Sequence, residues 1–241
     1  MEINTTKTVR ELTLEILGAT RVFEKMGIDY CCGGGKALKE ACAAAGVLTD
    51  DAVRSLEQAR QTDMPGAKST EWQIQPLSAL TSYIVSKHHV FTRDELARLD
   101  ALLSKVCSVH GHNHAELFRI QSLFQDLNRD LMPHMQKEEM ILFPYIEQMD
   151  EAVNAGRAAP VPFFGTVQNP IRMMMMEHDA AGEILKQIRQ TSSGFLVPED
   201  GCTSYETLYK ALEALEQDLH QHIHLENNIL FPRAVEMESI D

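Results

Sequence analysis

Along most of the chain, apolar and polar positions repeat with the period of an α-helix. Near the N-terminus, apolar residues recur every three or four positions, which places them on one helical face. These residues are Val9, Leu12, Ile16, Ala19 and Phe23. Gly27 follows the run and predicts the end of a helix. The N-terminal part is therefore predicted to form two or three short helices.

From about Trp72 onward the same periodicity continues with few strand signals. It predicts four long helices, over residues 76–108, 113–149, 168–192 and 204–239. They are separated by Gly111 and by two stretches that contain glycine and proline, 156–165 and 192–201. Four long helices with such connections predict an up-down-up-down four-helix bundle. The fold class is thus predicted to be all-α.

Two breaks in the N-terminal part suggest how the chain divides into domains. Three glycines, 33–35, follow a pair of cysteines, and an Asp-Met-Pro-Gly stretch occupies residues 63–66. Glycine and proline favour turns over helix interiors. We therefore expect a small helical domain over residues 1–66 and the bundle over residues 72–241.

Composition and charge exclude several classes of function. The 22 basic and 35 acidic residues give a net charge of −13, which argues against nucleic acid or an anionic membrane as partner. The sequence shows no signal-peptide pattern and no apolar stretch long enough for a membrane span. Five cysteines, an odd number, fit a cytoplasmic protein better than a disulfide framework.

A repeated motif carries the strongest chemical signal. In each copy a histidine is followed by a glutamate four positions later and by Ile-Leu-Phe-Pro at positions seven to ten. The copies are His134 with Glu138 and His222 with Glu226. Residues four apart lie on one helical face, so each helix can present an imidazole and a carboxylate to one metal site. One copy alone is usually a solvated ion pair, but two matching copies favour a metal centre.

Two further histidines fall where a pair of helical hairpins would bring them to the same level. His88 lies 46 residues before His134, and His178 lies 44 residues before His222. The midpoint of each pair falls in a predicted turn. Two such hairpins place four histidines and two glutamates in one layer. This donor set is typical of a di-iron or di-manganese bundle site in which the carboxylates bridge the metals.

Some assignments near these ligands have close alternatives. His88 and His89 are neighbours, and only one can point inward; His88 fits the turn spacing better and is the predicted ligand. Asp130 lies one helical turn from a predicted ligand, and Glu177 immediately precedes another. Either acid can orient a ligand or line a route to the metal, or be an ordinary surface charge.

Three more histidines, His110, His112 and His114, cluster at the first predicted turn. At a rise of 1.5 Å per residue, this turn lies ~30 Å from the predicted centre. The three histidines are therefore excluded from that centre, and a solvated turn is favoured over a second metal site.

The cysteines fall into two groups. Cys31 and Cys32 lie at a predicted junction between helix and loop, beside three glycines. Such a setting can lower a thiol pKa and expose a nucleophile, and a buried structural pair is the equally open alternative. The remaining cysteines, Cys42, Cys107 and Cys202, lack such settings and are expected to be inert.

Taken together, the motifs resemble the Repair of Iron Centres family, the YtfE/ScdA/DnrN-like di-iron proteins. The resemblance rests on Gly-Ile-Asp-Tyr-Cys-Cys-Gly-Gly at 27–34, on 134–144, on 177–183 and on 222–232, and it covers nearly the whole chain. It implies a ScdA-type N-terminal domain followed by a hemerythrin-like bundle.

The resemblance also implies a cofactor and a function. It implies two non-haem iron ions per chain, oxo- or hydroxo-bridged, with four histidine ligands and two bridging glutamates. It implies repair of iron–sulfur clusters damaged by nitrosative or oxidative stress, with iron donation as one route, damaged iron–sulfur proteins as clients, and a cytoplasmic homodimer. Nitric oxide or oxygen binding, and reduction of nitric oxide to nitrous oxide, are the alternatives. The Cys-Cys domain favours repair, because a simple carrier would not need it.

Overall fold

The computed structural model describes residues 3–62 and 71–239, and its N-terminal part is built from four short helices. These are α1 (Val9–Glu15), α2 (Ala19–Met26), α3 (Leu38–Ala45) and α4 (Thr49–Thr62). Two or three helices were expected, so this count was too low; α4 is largely polar and gives a weak periodic signal. The predicted domain boundary falls mainly in 63–70, outside the described residues.

Local sequence explains where the first helices begin and end. Thr8 and Glu11 form a capping box, in which each side chain accepts a hydrogen bond from the backbone N–H of the other residue. The apolar run that begins at Val9 is buried as predicted, but it is divided between two helices because α1 ends at Glu15. Gly27 ends α2 with φ of 64°, a left-handed conformation that glycine adopts readily.

Four long helical rods make up most of residues 71–239. After a 3₁₀ turn at Glu71–Gln73, the first two rods are α5 (Leu77–Tyr83) with α6 (Val90–His110), and α7 (Glu116–Lys137) with α8 (Phe143–Asn154). The last two are α9 (Gln168–Thr191), and α10 (Thr203–Leu225) with α11 (Phe231–Glu238). No strand occurs among the described residues, which confirms the all-α prediction.

Three of the four rods contain a π-helical turn, and all three turns lie at the level of the predicted metal ligands. They span Ile84–His89, Glu138–Leu142 and Glu226–Leu230. In the last two, the N–H of the residue before a proline donates to a carbonyl five residues back, Phe143 to Glu138 and Phe231 to Glu226. The proline ring clashes with the carbonyl four residues back, which favours this wider turn. The repeated Phe-Pro thus marks a change in helix geometry just beyond each glutamate.

Two separate apolar cores lie on either side of this level. One core, which includes Leu103, Phe124 and Leu212, fills the bundle toward the 111–115 turn. The other, which includes Ile146 and Phe231, fills the opposite end. A third core, in the N-terminal part, is formed by α1–α4 and their connections. The predicted ligands therefore occupy a polar layer between two apolar ends of the bundle.

Within residues 3–62 and 71–239, no helix combines the length and the apolar character required to cross a bilayer.

Candidate metal centre

Four histidines and two glutamates meet in the polar layer. They form two groups, in each of which the ligand atoms all lie within 4.8 Å of one another. One group is His89, Glu138, His222 and Glu226, and the other is His134, Glu138, His178 and Glu226. Both glutamates belong to both groups, so the six residues outline two adjacent cation positions that share two carboxylates.

The structure brings together five of the six predicted residues and places His89, rather than His88, beside them. His89 Nε2 lies 3.1 Å from His222 Nε2 and 3.4 Å from Glu138 Oε2. His88 is also buried, but its Nδ1 lies 3.0 Å from both carboxylate oxygens of Asp218, away from the shared glutamates. The π-helical turn that ends at His89 changes the phase of the helix. A count based on regular α-helix spacing therefore favoured His88, whereas His89 lies in the shared group.

The donor atoms have the spacing that a bound cation requires. Atoms bound at right angles to one ion at metal–ligand distances of ~2.1 Å lie ~3 Å apart. Three distances match this spacing: His134 Nε2 to His178 Nε2 at 3.0 Å, His178 Nε2 to Glu226 Oε2 at 3.1 Å, and His222 Nε2 to Glu226 Oε1 at 2.9 Å.

Burial of the two carboxylates is the strongest sign that the layer holds cations. Glu138 and Glu226 have no exposed surface, and neither oxygen of Glu138 has a hydrogen-bond partner among the described residues. A buried carboxylate without a hydrogen-bond partner is costly unless a cation compensates its charge. Carboxylate and imidazole donors together suit iron or manganese. The residues present therefore fit a pair of such ions.

In the absence of metal, protons compensate part of the charge in this layer. Burial, with a smaller contribution from the charge of Glu226, raises the pKa of Glu138 to about 7. Burial opposes protonation of His178, but Glu226 outweighs it and raises the pKa of His178 to about 9. Burial lowers the pKa of His89 and so favours its neutral, metal-binding form. Cation binding is therefore expected to displace protons from the layer.

Outer partners hold three of the four imidazoles in place. The Nδ1 atoms of His89, His134 and His178 lie 2.7 Å from Glu139 Oε1, 2.8 Å from Glu177 Oε2 and 2.9 Å from Asn227 Oδ1. An N–H donated to such an oxygen leaves Nε2 free to face a metal. The two carboxylates are themselves paired, Glu139 with Arg93 and Glu177 with Lys137. Glu177 thus lies where an orienting acid was predicted; Glu139 and Asn227 were not anticipated.

A cavity of about 180 Å³ leads from the surface to this layer. His134 and His178 lie at its inner side, and Asp130, Lys137 and Glu177 also line it. Asp130 is paired with Arg129 at 3.4 Å. Its place in the lining fits the predicted role along a route to the metal, rather than a role in orienting a ligand.

The N-terminal part contacts the metal layer through consecutive asparagines. Asn227, whose Oδ1 holds His178, donates through Nδ2 to the carbonyl of Cys31 at 3.3 Å. Asn228 Nδ2 donates to the carbonyl of Tyr30 at 3.1 Å. Only two hydrogen bonds therefore separate the cysteine-bearing loop from an imidazole of the metal layer.

Cys31 and Cys32 lie in that loop, and their Sγ atoms are 3.8 Å apart. The Cys32 side chain and burial raise the pKa of Cys31 well above its ordinary value, so the lowered pKa that was one alternative is not found for this thiol. Cys32 is half-buried and faces Gly182 of α9.

The two cysteines and Asp29 could also hold a metal ion. A cavity of about 490 Å³ between the N-terminal part and the bundle reaches both thiols.

Three histidines lie at or next to the 111–115 turn: His110, His112 and His114. Among the described residues, none of them belongs to a group that could hold a metal ion. His112 is exposed, while His114 lies 2.8 Å from Asp200 and 3.0 Å from Glu116. His110 Nε2 lies 3.1 Å from the Sγ of Cys202, a cysteine that was expected to be inert.

Comparison with known proteins gives two family matches and a set of full-length relatives. Residues 80–234 match the model described as hemerythrin HHE cation binding domain. Residues 5–60 match ScdA_N, a domain of unknown function. The chain is 36% identical over 225 residues to iron-sulfur cluster repair protein YtfE of Escherichia coli O81, covering 93% of this chain and 94% of that protein. It is 35% identical to YtfE of Escherichia fergusonii with the same coverage.

Proposed function

We propose that this chain, which belongs to the family of the hemerythrin HHE cation binding domain, holds two iron ions in the bundle and takes part in repairing iron–sulfur clusters damaged by nitrosative or oxidative stress. The proposed ligands are His89, His134, His178, His222, Glu138 and Glu226, with both carboxylates shared between the ions. The buried layer in which two histidine pairs face the same two glutamates is the observation that carries the proposal.

Repair is favoured over simple storage by the close approach of the N-terminal loop. The hydrogen bonds of Asn227 join the carbonyl of Cys31 to the imidazole of His178, so a change in the loop alters the support of one ligand. The relatives are named for iron–sulfur cluster repair. We infer that iron is the cargo, and that the cysteine loop lies on the side where a damaged client protein approaches.

The layer's own titrating groups suit a reversible exchange of iron for protons. Glu138 and His178 take up protons readily when no cation is present, because their pKa values lie near or above neutrality. Protonation reduces the charge imbalance that would otherwise oppose loss of a cation. The chain can therefore release metal without leaving an uncompensated buried charge.

Metal analysis of purified variants tests the ligand assignment. His89→Ala should lose iron and His88→Ala should keep it, because only His89 lies within the shared group. Both histidines are buried, so each substitution leaves a similar cavity and a similar loss of stability. Equal iron content in the two variants, or loss in His88→Ala alone, would contradict the assignment.

A reconstitution assay tests the function. The iron-loaded chain is incubated with an iron–sulfur enzyme whose cluster nitric oxide has damaged, and client activity and the iron of both proteins are followed. We expect client activity to return as iron leaves this chain, and recovery to be impaired in Cys31→Ala/Cys32→Ala. Recovery without iron loss would exclude donation, and no recovery above a metal-free control would exclude repair.

A second candidate function is the binding of nitric oxide or oxygen. The 180 Å³ cavity that reaches His134 and His178 is the observation that favours it, because it gives a small molecule access to the buried layer. Ala180→Phe, at the exposed wall of this cavity, should slow nitric oxide binding to the iron-loaded protein while iron content stays unchanged. An unchanged binding rate would mean that the cavity is not the route.

A further inference from the structure

At the bundle end remote from the metal layer, a cysteine and a histidine from different hairpins meet. Cys202 precedes α10 as its N-cap residue and is exposed to solvent. His110 is the last residue of α6, and its Nε2 lies 3.1 Å from the cysteine Sγ. The His110 ring also packs edge-on against Tyr205, with ring centroids 5.4 Å apart. The imidazole is therefore held beside an accessible sulfur atom.

The helix that follows Cys202 favours a negative charge on its sulfur. The backbone N–H groups at the N-terminus of the 23-residue helix α10 carry partial positive charge. The backbone N–H groups of Tyr205 and Ser204, together with His110, lower the pKa of Cys202 to about 7. A larger share of this thiol is then thiolate at pH 7 than the few per cent of an ordinary cysteine.

Other charged groups near the pair have partners of their own. Asp200 is paired with His114, and Glu116 with the other ring nitrogen of the same histidine. His114 also packs on Tyr205, with ring centroids 5.6 Å apart. His110 is therefore the side chain placed to exchange a proton with Cys202.

We propose that Cys202, with His110 beside it to accept the thiol proton, is a site of oxidation by hydrogen peroxide. The thiolate attacks one peroxide oxygen, an S–O bond forms and the O–O bond breaks. Sulfur loses two electrons and peroxide gains them. Hydroxide leaves and takes the proton of His110, so the products are a sulfenic acid, water and a neutral imidazole. This chemistry is separate from the proposed iron centre.

The pH dependence of alkylation tests the pair directly. The full-length iron-loaded chain is treated with iodoacetamide between pH 5 and 10, and mass spectrometry gives the rate at each cysteine. The alkylation rate at Cys202 should reach half its maximum near pH 7. A midpoint as high as that of an ordinary cysteine would overturn the proposal. In His110→Gln we expect a midpoint raised by ~1 pH unit and a rate at pH 6 lowered ~3-fold, since tenfold less thiolate is partly offset by higher nucleophilicity. The exposed His112→Gln is the matched control and should match wild type.

A second measurement tests the oxidation step. One equivalent of hydrogen peroxide is added in the presence of dimedone, which traps sulfenic acids. Cys202 should be labelled before Cys32, and its labelling should fall in His110→Gln but not in His112→Gln. A low alkylation midpoint without dimedone adduct would overturn the oxidation, and equal labelling in all three chains would overturn the role of His110.

Discussion

Glu138 offers a test of the metal layer, because removing this proposed ligand should favour the folded metal-free protein more at high pH than at low pH. The pKa of this carboxyl rises from 4.5 to about 7 in the folded chain, chiefly through burial. Because the folded-state pKa is the higher one, the folded state binds the proton more tightly. Its advantage is complete below the unfolded-state pKa and is lost as pH rises through about 7. Above that pH the carboxyl group of Glu138 is charged, and its burial then costs the folded chain stability.

The size of the effect follows from this difference in pKa. Each tenfold change in proton affinity is worth ~1.4 kcal/mol, so the full effect is ~3 kcal/mol. Glu138→Gln removes the titration. The free energy of unfolding of the variant minus that of wild type should therefore be ~2–3 kcal/mol larger at pH 9 than at pH 5. The cost of burying the amide is the same at both pH values and cancels in this comparison.

Urea unfolding of chelator-treated protein at pH 5, 7 and 9, followed by circular dichroism, measures this difference. Glu226→Gln is the matched control. Burial acts against it, but the charges of His222 and His178 hold the pKa of Glu226 well below its usual value. Its replacement should destabilise the metal-free chain at pH 5 and 7. If Glu138→Gln has the same stability relative to wild type at pH 5 and 9, the folded chain does not raise this pKa and the reasoning fails.

Two further predictions concern the contact between the N-terminal part and the metal layer. A Cβ on Gly34 would lie 2.5 Å from Asn228 Oδ1, so Gly34→Ala should lower the free energy of unfolding by ~1–3 kcal/mol, as measured by thermal unfolding. Gly35 has open space around it, so Gly35→Ala should be nearly neutral. Equal stability of these two variants would contradict the packing. Asn227→Ala removes the partner of a proposed ligand and should weaken iron binding ~10-fold in equilibrium dialysis, while the exposed Asn113→Ala should not. Unchanged affinity in Asn227→Ala would show that this hydrogen bond does not support the ligand.

The bundle could be predicted from the sequence because its apolar period and its separators are local signals. The repeated His-x-x-x-Glu motif likewise specified four of the six residues in the metal layer. The sequence favoured His88, and the structure places His89 in the shared group instead, because the π-helical turn at Ile84–His89 widens the helix there. No Phe-Pro pair marks that turn, in contrast to the other two. A pattern analysis that assumes a uniform period has no means of detecting such a change of phase.

The outer partners and the reactive thiol were harder to predict for a different reason. Glu139 and Asn227 act across helices, so their role depends on packing rather than on spacing along one helix. Cys202 was expected to be inert, although it lies only two residues before a predicted helix, and the structure makes it the N-cap residue of α10. Both predicted hairpin turns lie at the same end of an up-down-up-down bundle. A comparison of the residues in the two turns could have suggested that Cys202 lies close to His110.

The polar layer between the two apolar cores has a consequence for cooperativity. Without cations, the bundle ends are joined across a layer of partly protonated acids and imidazoles, which contributes little to holding them together. We expect amide hydrogen exchange in the metal-free chain to divide the bundle into two subglobal units, with α5, α8 and α11 opening before the half that contains Phe124. With both ions bound, four rods share ligands to the same pair of cations, and the halves should exchange together. Iron would then set the size of the cooperative folding unit, and its release would loosen one end of the bundle selectively.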